Sequence, residues 1–383
     1  MKITDIRIRQ IKSPAYKPFT NALRRQLNVQ DGWTVGILEV FTDEGITGVF
    51  TSHSLTGMAA DTIVKYLKPV VVGEDPANYE RVWRKMFGDG SGWRLPIAKG
   101  EIVRSISSLD TAIWDIIGKK LDTPVYKLLG GFRDEVPGYA SGGHYISLDD
   151  HAAEMNYIGP EMQRYMDLGF RAVKMRVGRK LSDDLERARL VREIIGPDAK
   201  LLMDFNMSGT YYGGVSETIK FMRALEEVNP FWYEDPLVMD DVTGMKHISD
   251  VIDTAIATGE SDQTTWGFRD LIVNRAVDIL IPDATDMSGG ITEWKKIAAM
   301  ADAYRMPVAA HIGDTASIHC VAGVPNGLIV EVFIPHDEGY AAHEIDPIRR
   351  PNADGNMVVP QKPGLGVEID EQYVAKHLVG EVA

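Results

Sequence analysis

The sequence of 383 residues is poor in sulfur nucleophiles, with Cys320 its one cysteine. A single thiol excludes an intramolecular disulfide framework and a thiolate metal cluster. It fits a reducing cytoplasm. Long hydrophobic runs are missing too: no stretch approaches the roughly 18 apolar residues of a membrane helix. The opening segment MKITDIRIRQIKSP alternates apolar and polar residues and lacks the apolar core of a secretory signal. A cytoplasmic protein with no membrane attachment is therefore expected. Positive charge is scarce. The 41 Lys and Arg are outnumbered by 55 Asp and Glu, for a net charge of −14. That balance argues against nucleic acid as a partner. It leaves room for an anionic small molecule, provided a cation stands between the two. No G-x-G-x-x-G or Walker motif follows a strand-like run, so the usual nucleotide-cradling turns are absent. Low-complexity tracts and repeats are also lacking.

What is present is ample core and two kinds of pattern. The length suits one large domain or two unequal ones and needs no covalent staples. Residues 1–125 read as an α+β unit. KITDIRIRQI alternates like a half-buried strand, and WTVGILEVFTDEGITGVF (33–50) reads as two strands around the turn TDEG. Between them lies a polar, basic loop (13–30) with Tyr16, Lys17, Arg24 and Arg25. A second loop, TSHSLTG (51–57), carries His53. Helical patterns follow, ending in the amphipathic IVRSISSLDTAIWDIIGKKL and the junction DTPVYKLLGG.

From residue 126 to 364 strand and helix patterns alternate. Eight strand-like runs stand out: VPGYAS (136–141), RAVKMRV (171–177), AKLLMDFN (199–206), FWYED (231–235), AIATGE (255–260), VDILIPD (277–283), PVAAH (307–311) and GLIVEVF (327–333). Such alternation implies a parallel sheet, and eight repeats in this length match a β/α barrel of the TIM type. A doubly wound sheet is the rival, weakened by the missing nucleotide motifs. The tail, 365–383, is expected to return to the N-terminal unit.

The strand ends carry the chemistry. Lys174 and Arg176 lie on the second strand, Asp204 and Asn206 end the third, and Glu234 and Asp235 the fourth. Glu260 ends the fifth, Asp283 the sixth and His311 the seventh, while Glu331 lies on the eighth. In a barrel these ends converge on one face, where active sites lie. Any one acid alone also suits a helix cap or a solvated end. Asp204, Glu234 and Glu260, from adjacent strands, would repel one another and raise each other's pKa, a conflict a divalent cation resolves. Oxygen ligands favour a hard ion, Mg²⁺ before Mn²⁺. Lys174 and Arg176, two apart, share a strand face. Arg176 is a poor base and is expected to clamp a carboxylate or contact substrate. Lys174 is the better base if Arg176 and the metal depress its pKa. His311 gains basicity if Asp283 holds its second ring nitrogen, with Asp286 competing for that place. Glu331 is a proton donor if its pKa is raised, and otherwise a supporting acid.

The ordered set KMR, MDFN, WYEDP, TGES, IPDATDMSGGITEW, AAHIG and VEVF resembles the enolase superfamily, and within it the mandelate racemase subgroup of the mandelate racemase/muconate lactonizing enzymes. The likeness spans nearly the whole chain and makes residues 1–125 a capping domain over the barrel. It implies Asp204, Glu234 and Glu260 as Mg²⁺ ligands and Asp283 with His311 as a His-Asp dyad. Lys174 falls at the first position of the subgroup's Lys-x-Lys pair and Glu331 at its acid on the eighth strand. Substrate contacts are expected from Arg176, Asn206, Tyr16, Arg24 and His53. The implied step is removal of the proton α to a carboxylate. Arg176 replaces the subgroup's second lysine, and the 283–289 segment is one residue longer than the resemblance implies. With one base lost, dehydration of a sugar acid is favoured over racemisation or epimerisation. A binding barrel without catalysis is the remote alternative. The family also implies a homo-oligomer, a dimer or an octamer.

Overall fold

Alternation along β1 (Ile3–Lys12) sends Ile6 and Ile8 into the core. In the computed structural model, which describes residues 1–12, 19–23, 34–88, 99–147, 149–312, 315–334 and 350–383, β1 pairs antiparallel with β2 (Thr34–Thr42). The hairpin closes through β3 (Thr47–Ser52). Against this sheet packs the helix Glu101–Lys120, buried along most of its length. Gly48 permits the contact, since a Cβ there would lie 2.2 Å from the Ala112 carbonyl oxygen.

The second sheet is a closed parallel barrel. Its strands are β4 (Glu135–Ser141), β5 (Ala172–Arg176), β6 (Lys200–Asp204), β7 (Trp232–Glu234), β8 (Ala255–Thr258), β9 (Ile279–Leu280), β10 (Val308–Ala310) and β11 (Gly327–Phe333). Each pairs with its sequence neighbour, and β11 returns to β4 through Glu331↔Tyr139 and Phe333↔Ser141. Helices between the strands cover the outside, and the strands read as buried runs because both faces are covered. β12 (Asn356–Val358) adds an antiparallel edge to β4. The chain ends in β13 (Leu378–Val382), paired antiparallel with β1 in the first sheet. The eight strand-like runs thus all become barrel strands, and the antiparallel sheet caps the barrel.

The barrel interior is layered. Its floor is apolar: Tyr139, Ala172, Leu202, Trp232, Ala257, Ile279, Ile281, Ala309 and Ile329 form one buried cluster. Cap and barrel are tied by buried polar contacts. Asp110, on the cap helix, accepts from the Thr292 amide (2.8 Å) and hydroxyl (2.7 Å) at the start of the barrel helix Ile291–Ala303. Asp115, on the same cap helix, accepts from the Val49 amide within the cap and from the Leu365 amide where the tail leaves the barrel. Among the described residues no helix is long and apolar enough to cross a membrane.

Candidate active site

Two residues above the floor, each strand changes character. Residues paired across neighbouring strands point to the same side, and the register aligns Ser141↔Lys174, Arg176↔Asp204 and Asp204↔Glu234. These side chains therefore crowd one rim. Glu260 joins them past a turn at Gly259, whose φ of +127° favours glycine. Oxygens of Asp204, Glu234 and Glu260 all lie within 4.8 Å of one another.

Each acid of this triad is held from the side or from below. Arg176 donates to Asp204 Oδ2 at 2.6 Å, and Asn206 donates to both Asp204 oxygens, from its amide at 2.7 Å and its side chain at 3.1 Å. Trp232, on the floor, donates its indole N–H to Glu234 Oε2 at 3.0 Å. Asp235 turns away, at φ +41°, and accepts from the Thr258 hydroxyl. Burial pushes the Glu234 carboxyl up to about 8, with Lys174 pulling against the rise and Asp204 adding to it. Glu260 is raised as well, by burial against the pull of His311. Three crowded carboxylates, two of them raised, with no sulfur ligand among them, form a donor set suited to a hard divalent cation.

Lys174 is fully buried, and its Nζ lies 2.5 Å from Glu234, 2.7 Å from Glu331 and 3.5 Å from Asp204. The protein's own groups pull Lys174 in the opposite sense to the expected tuning toward neutrality. Burial alone would lower its pKa, but Glu234 and Glu331 outweigh burial and hold the ammonium above the ordinary lysine range. Glu331 is corrected in turn. Burial would raise it, yet Lys174, His311 and Arg176 hold it well below the usual carboxylate range, which suits a supporting acid better than a proton donor.

His311, 20% exposed at its side chain, bridges two acids. Its Nδ1 lies 3.0 Å from Asp283 Oδ2 and its Nε2 3.2 Å from Glu260 Oε2. Asp283 Oδ1 is occupied by the amides of Thr285 (3.0 Å) and Asp286 (2.8 Å), so the carboxylate cannot swing away. Partial burial would lower the His311 pKa, but Glu260, the Asp283 hydrogen bond and Glu331 push it up to about 10. The next residue, Ile312, is β-branched at φ +56°, and its amide donates to Glu331 Oε2 at 3.1 Å. Such a conformation persists where the surroundings enforce it. Asp286, the competitor for His311, pairs instead with Ser54 and Arg104 of the cap.

The substrate contacts are less evenly placed. Arg176 and Asn206 sit on the rim beside Asp204. His53 is exposed on the 51–57 turn. Tyr16 and Arg24, with Lys17 and Arg25, lie outside the described residues. Trp232, Ser54 and Arg104 were missed from sequence. Trp232 had a usable signal, two residues before Glu234 on a strand and hence on its face. Ser54 and Arg104 had none.

This geometry has relatives. Residues 158–373 match the family model of the enolase C-terminal domain-like fold, and residues 5–130 match the N-terminal domain of the mandelate racemase/muconate lactonizing enzymes. The chain belongs to the mandelate racemase/muconate lactonizing enzyme family. Within the family it is 31% identical to an arabinonate dehydratase of Saccharolobus solfataricus, over 88% of this chain and 90% of that one. It is 32% identical to a 3,6-anhydro-α-L-galactonate cycloisomerase of Streptomyces coelicolor, over 88% and 89%. A solved structure of a racemase from Streptomyces coelicolor A3(2) with bound magnesium superimposes with a TM-score of 0.84 at 28% identity, covering 98% of this chain and 100% of that one.

Proposed function

We propose that the protein removes the proton α to the carboxylate of a hydroxylated sugar acid and expels the β-hydroxyl, giving a 2-keto-3-deoxy acid. Asp204, Glu234 and Glu260 would hold Mg²⁺, with Mn²⁺ as a substitute. Bound there, the cation supplies fixed positive charge where the substrate carboxylate gains electron density.

The observation that carries this reading is His311, clamped between Asp283 and the triad acid Glu260. With Nδ1–H donated to Asp283, Nε2 is the working nitrogen. It takes the α-proton as the C–H bond breaks, then returns that proton to the departing hydroxide as the β C–O bond breaks, so that water leaves and the resulting enol becomes the ketone. The acid half suits the raised His311. The base half needs neutral imidazole, and positive charge on Glu260 would offset that acid's upward pull. Lys174 and Arg176 act as cations, on Glu331, Glu234 and Asp204 and toward the substrate carboxylate. Racemisation needs a base on each face of the α-carbon, and this side offers two cations tied to carboxylates.

Incubation with Mg²⁺ and a panel of aldonic and aldaric acids is expected to yield a 2-keto acid. Interconversion of epimers, with solvent deuterium gained and no water lost, would replace dehydration with the racemase/epimerase reading. Indifference to both metal and His311→Asn would leave a binding barrel.

A further inference from the structure

Asp286 reaches neither His311 nor the carboxylate triad, yet it is 4% exposed and lies in the loop that carries Asp283. Its Oδ2 accepts from the Ser54 hydroxyl, on the cap's 51–57 turn, and from Arg104 Nη2 at 3.2 Å. Arg104, on the cap helix, also donates to Ser54 Oγ at 2.9 Å. Three side chains from three places in the sequence thus close one ring. The ring continues inward, because the Asp286 amide donates to Asp283 Oδ1 at 2.8 Å and Asp283 Oδ2 meets His311 Nδ1 at 3.0 Å.

The geometry points to Asp286 and Arg104 as positioning residues that couple the cap turn at Ser54 to the aim of His311. Simple interface cement would satisfy its polar atoms. Here Asp286 Oδ1 and Arg104 Nε are buried without a hydrogen-bond partner among the described residues. Leaving a carboxylate oxygen and a guanidinium nitrogen unpaired costs stability, which fits a contact set by where it must hold the loop. The cap also holds the far end of the 283–290 segment, where the Gly289 amide donates to Ser107 Oγ at 2.8 Å and Trp83 Nε1 donates to the Gly289 carbonyl at 2.6 Å. Next to the dyad its other contact is Ser108 Oγ, 3.5 Å from the Thr285 carbonyl. The cap turn therefore reaches the dyad through one carboxylate and one turn of backbone. The catalytic consequence rests on the role proposed for His311, whereas the coupling itself does not.

The test uses the full chain and two readouts that need no substrate. Hydrogen–deuterium exchange by mass spectrometry would follow peptides covering 51–57 and 283–290. Nitrogen NMR of [¹⁵N]histidine protein would follow His311, assigned by its loss in His311→Asn. Ser54→Ala and Arg104→Met are expected to speed exchange at 285–288 about fivefold to tenfold and to shift the His311 ring signals. Arg104→Lys, which keeps a cation, should recover most of both. Faster exchange confined to 51–57, with 283–290 and the His311 signals unchanged, would overturn the proposal. So would equal effects of Arg104→Lys and Arg104→Met. A protein that turned over no sugar acid would still give these signals, so failure here is distinct from failure of the proposed activity.

Discussion

The floor and the rim of the barrel are two residues apart on the same strands and obey opposite rules. Ala172, Leu202, Trp232, Ile281, Ala309 and Ile329 line the floor. One step of two brings Lys174, Asp204, Glu234, Asp283, His311 and Glu331. The floor is a packing solution, in which burying one such leucine contributes about 1.5–3 kcal/mol. The rim is a charge problem, with the Glu234 carboxyl pushed up by burial and the Lys174 ammonium held above its usual range by its acid neighbours. Stability lives in one layer and chemistry in the other, and the strand period of two keeps them apart.

If that separation is real, rim and floor substitutions should fail in different assays. The largest effect is expected from removing the cation. A chelator, or Glu234→Gln, should cut turnover about 10³-fold or more, several kcal/mol of transition-state stabilisation. Glu234→Gln deletes a repelling acid but also one partner of the buried Lys174, which keeps Glu331, so the Tm of the metal-free protein should change by only a few degrees. A clear fall in metal-free Tm would show that the rim is structural after all. Next, His311→Asn should lower turnover by about 10²–10⁴-fold while metal affinity, read by calorimetry, stays within a few fold. On the floor the pattern should reverse. Leu202→Ala should lose about 2–5 kcal/mol in urea unfolding, with turnover per folded molecule nearly intact.

The smallest effect concerns a buried acid remote from the rim. Burial pushes Asp110 up to about 7 from its ordinary 3.8, against the pull of the Thr292 amide and hydroxyl. A raised acid favours the folded state in its protonated form. Its contribution is full below about pH 3.8 and is lost as pH rises through about 7. Asp110→Asn should flatten that part of the stability–pH curve, by at most a few kcal/mol. Turnover at fixed pH should hold, and an unchanged curve would place the titration elsewhere.

Much of the barrel was legible because its signals are local and periodic. Strand-like runs separated by helical patterns imply a parallel sheet, and acids at successive strand ends converge whenever such a sheet closes. Asp204, Glu234 and Glu260 were found together for that reason. Asp283 and Asp286 could not be separated by spacing. The backbone turn decides between them: the amides of Thr285 and Asp286 fold back onto Asp283 and leave its other oxygen for His311. Ser54 and Arg104 could not be read as partners of Asp286, because nothing local records which cap side chain will stand over which loop.

The sequence by itself determined the order of the strands, the face on which the ionisable residues gather and the oxygen-rich donor set, since these follow from period and spacing along the chain. The tertiary structure alone decided their protonation and their pairing. Lys174 is shifted toward its cation and Glu331 toward its anion because closing the barrel sets β11 beside β4 and brings Glu331 against Lys174. A side chain's charge state depends on its burial and on charges far away in sequence, and neither exists until the chain has folded.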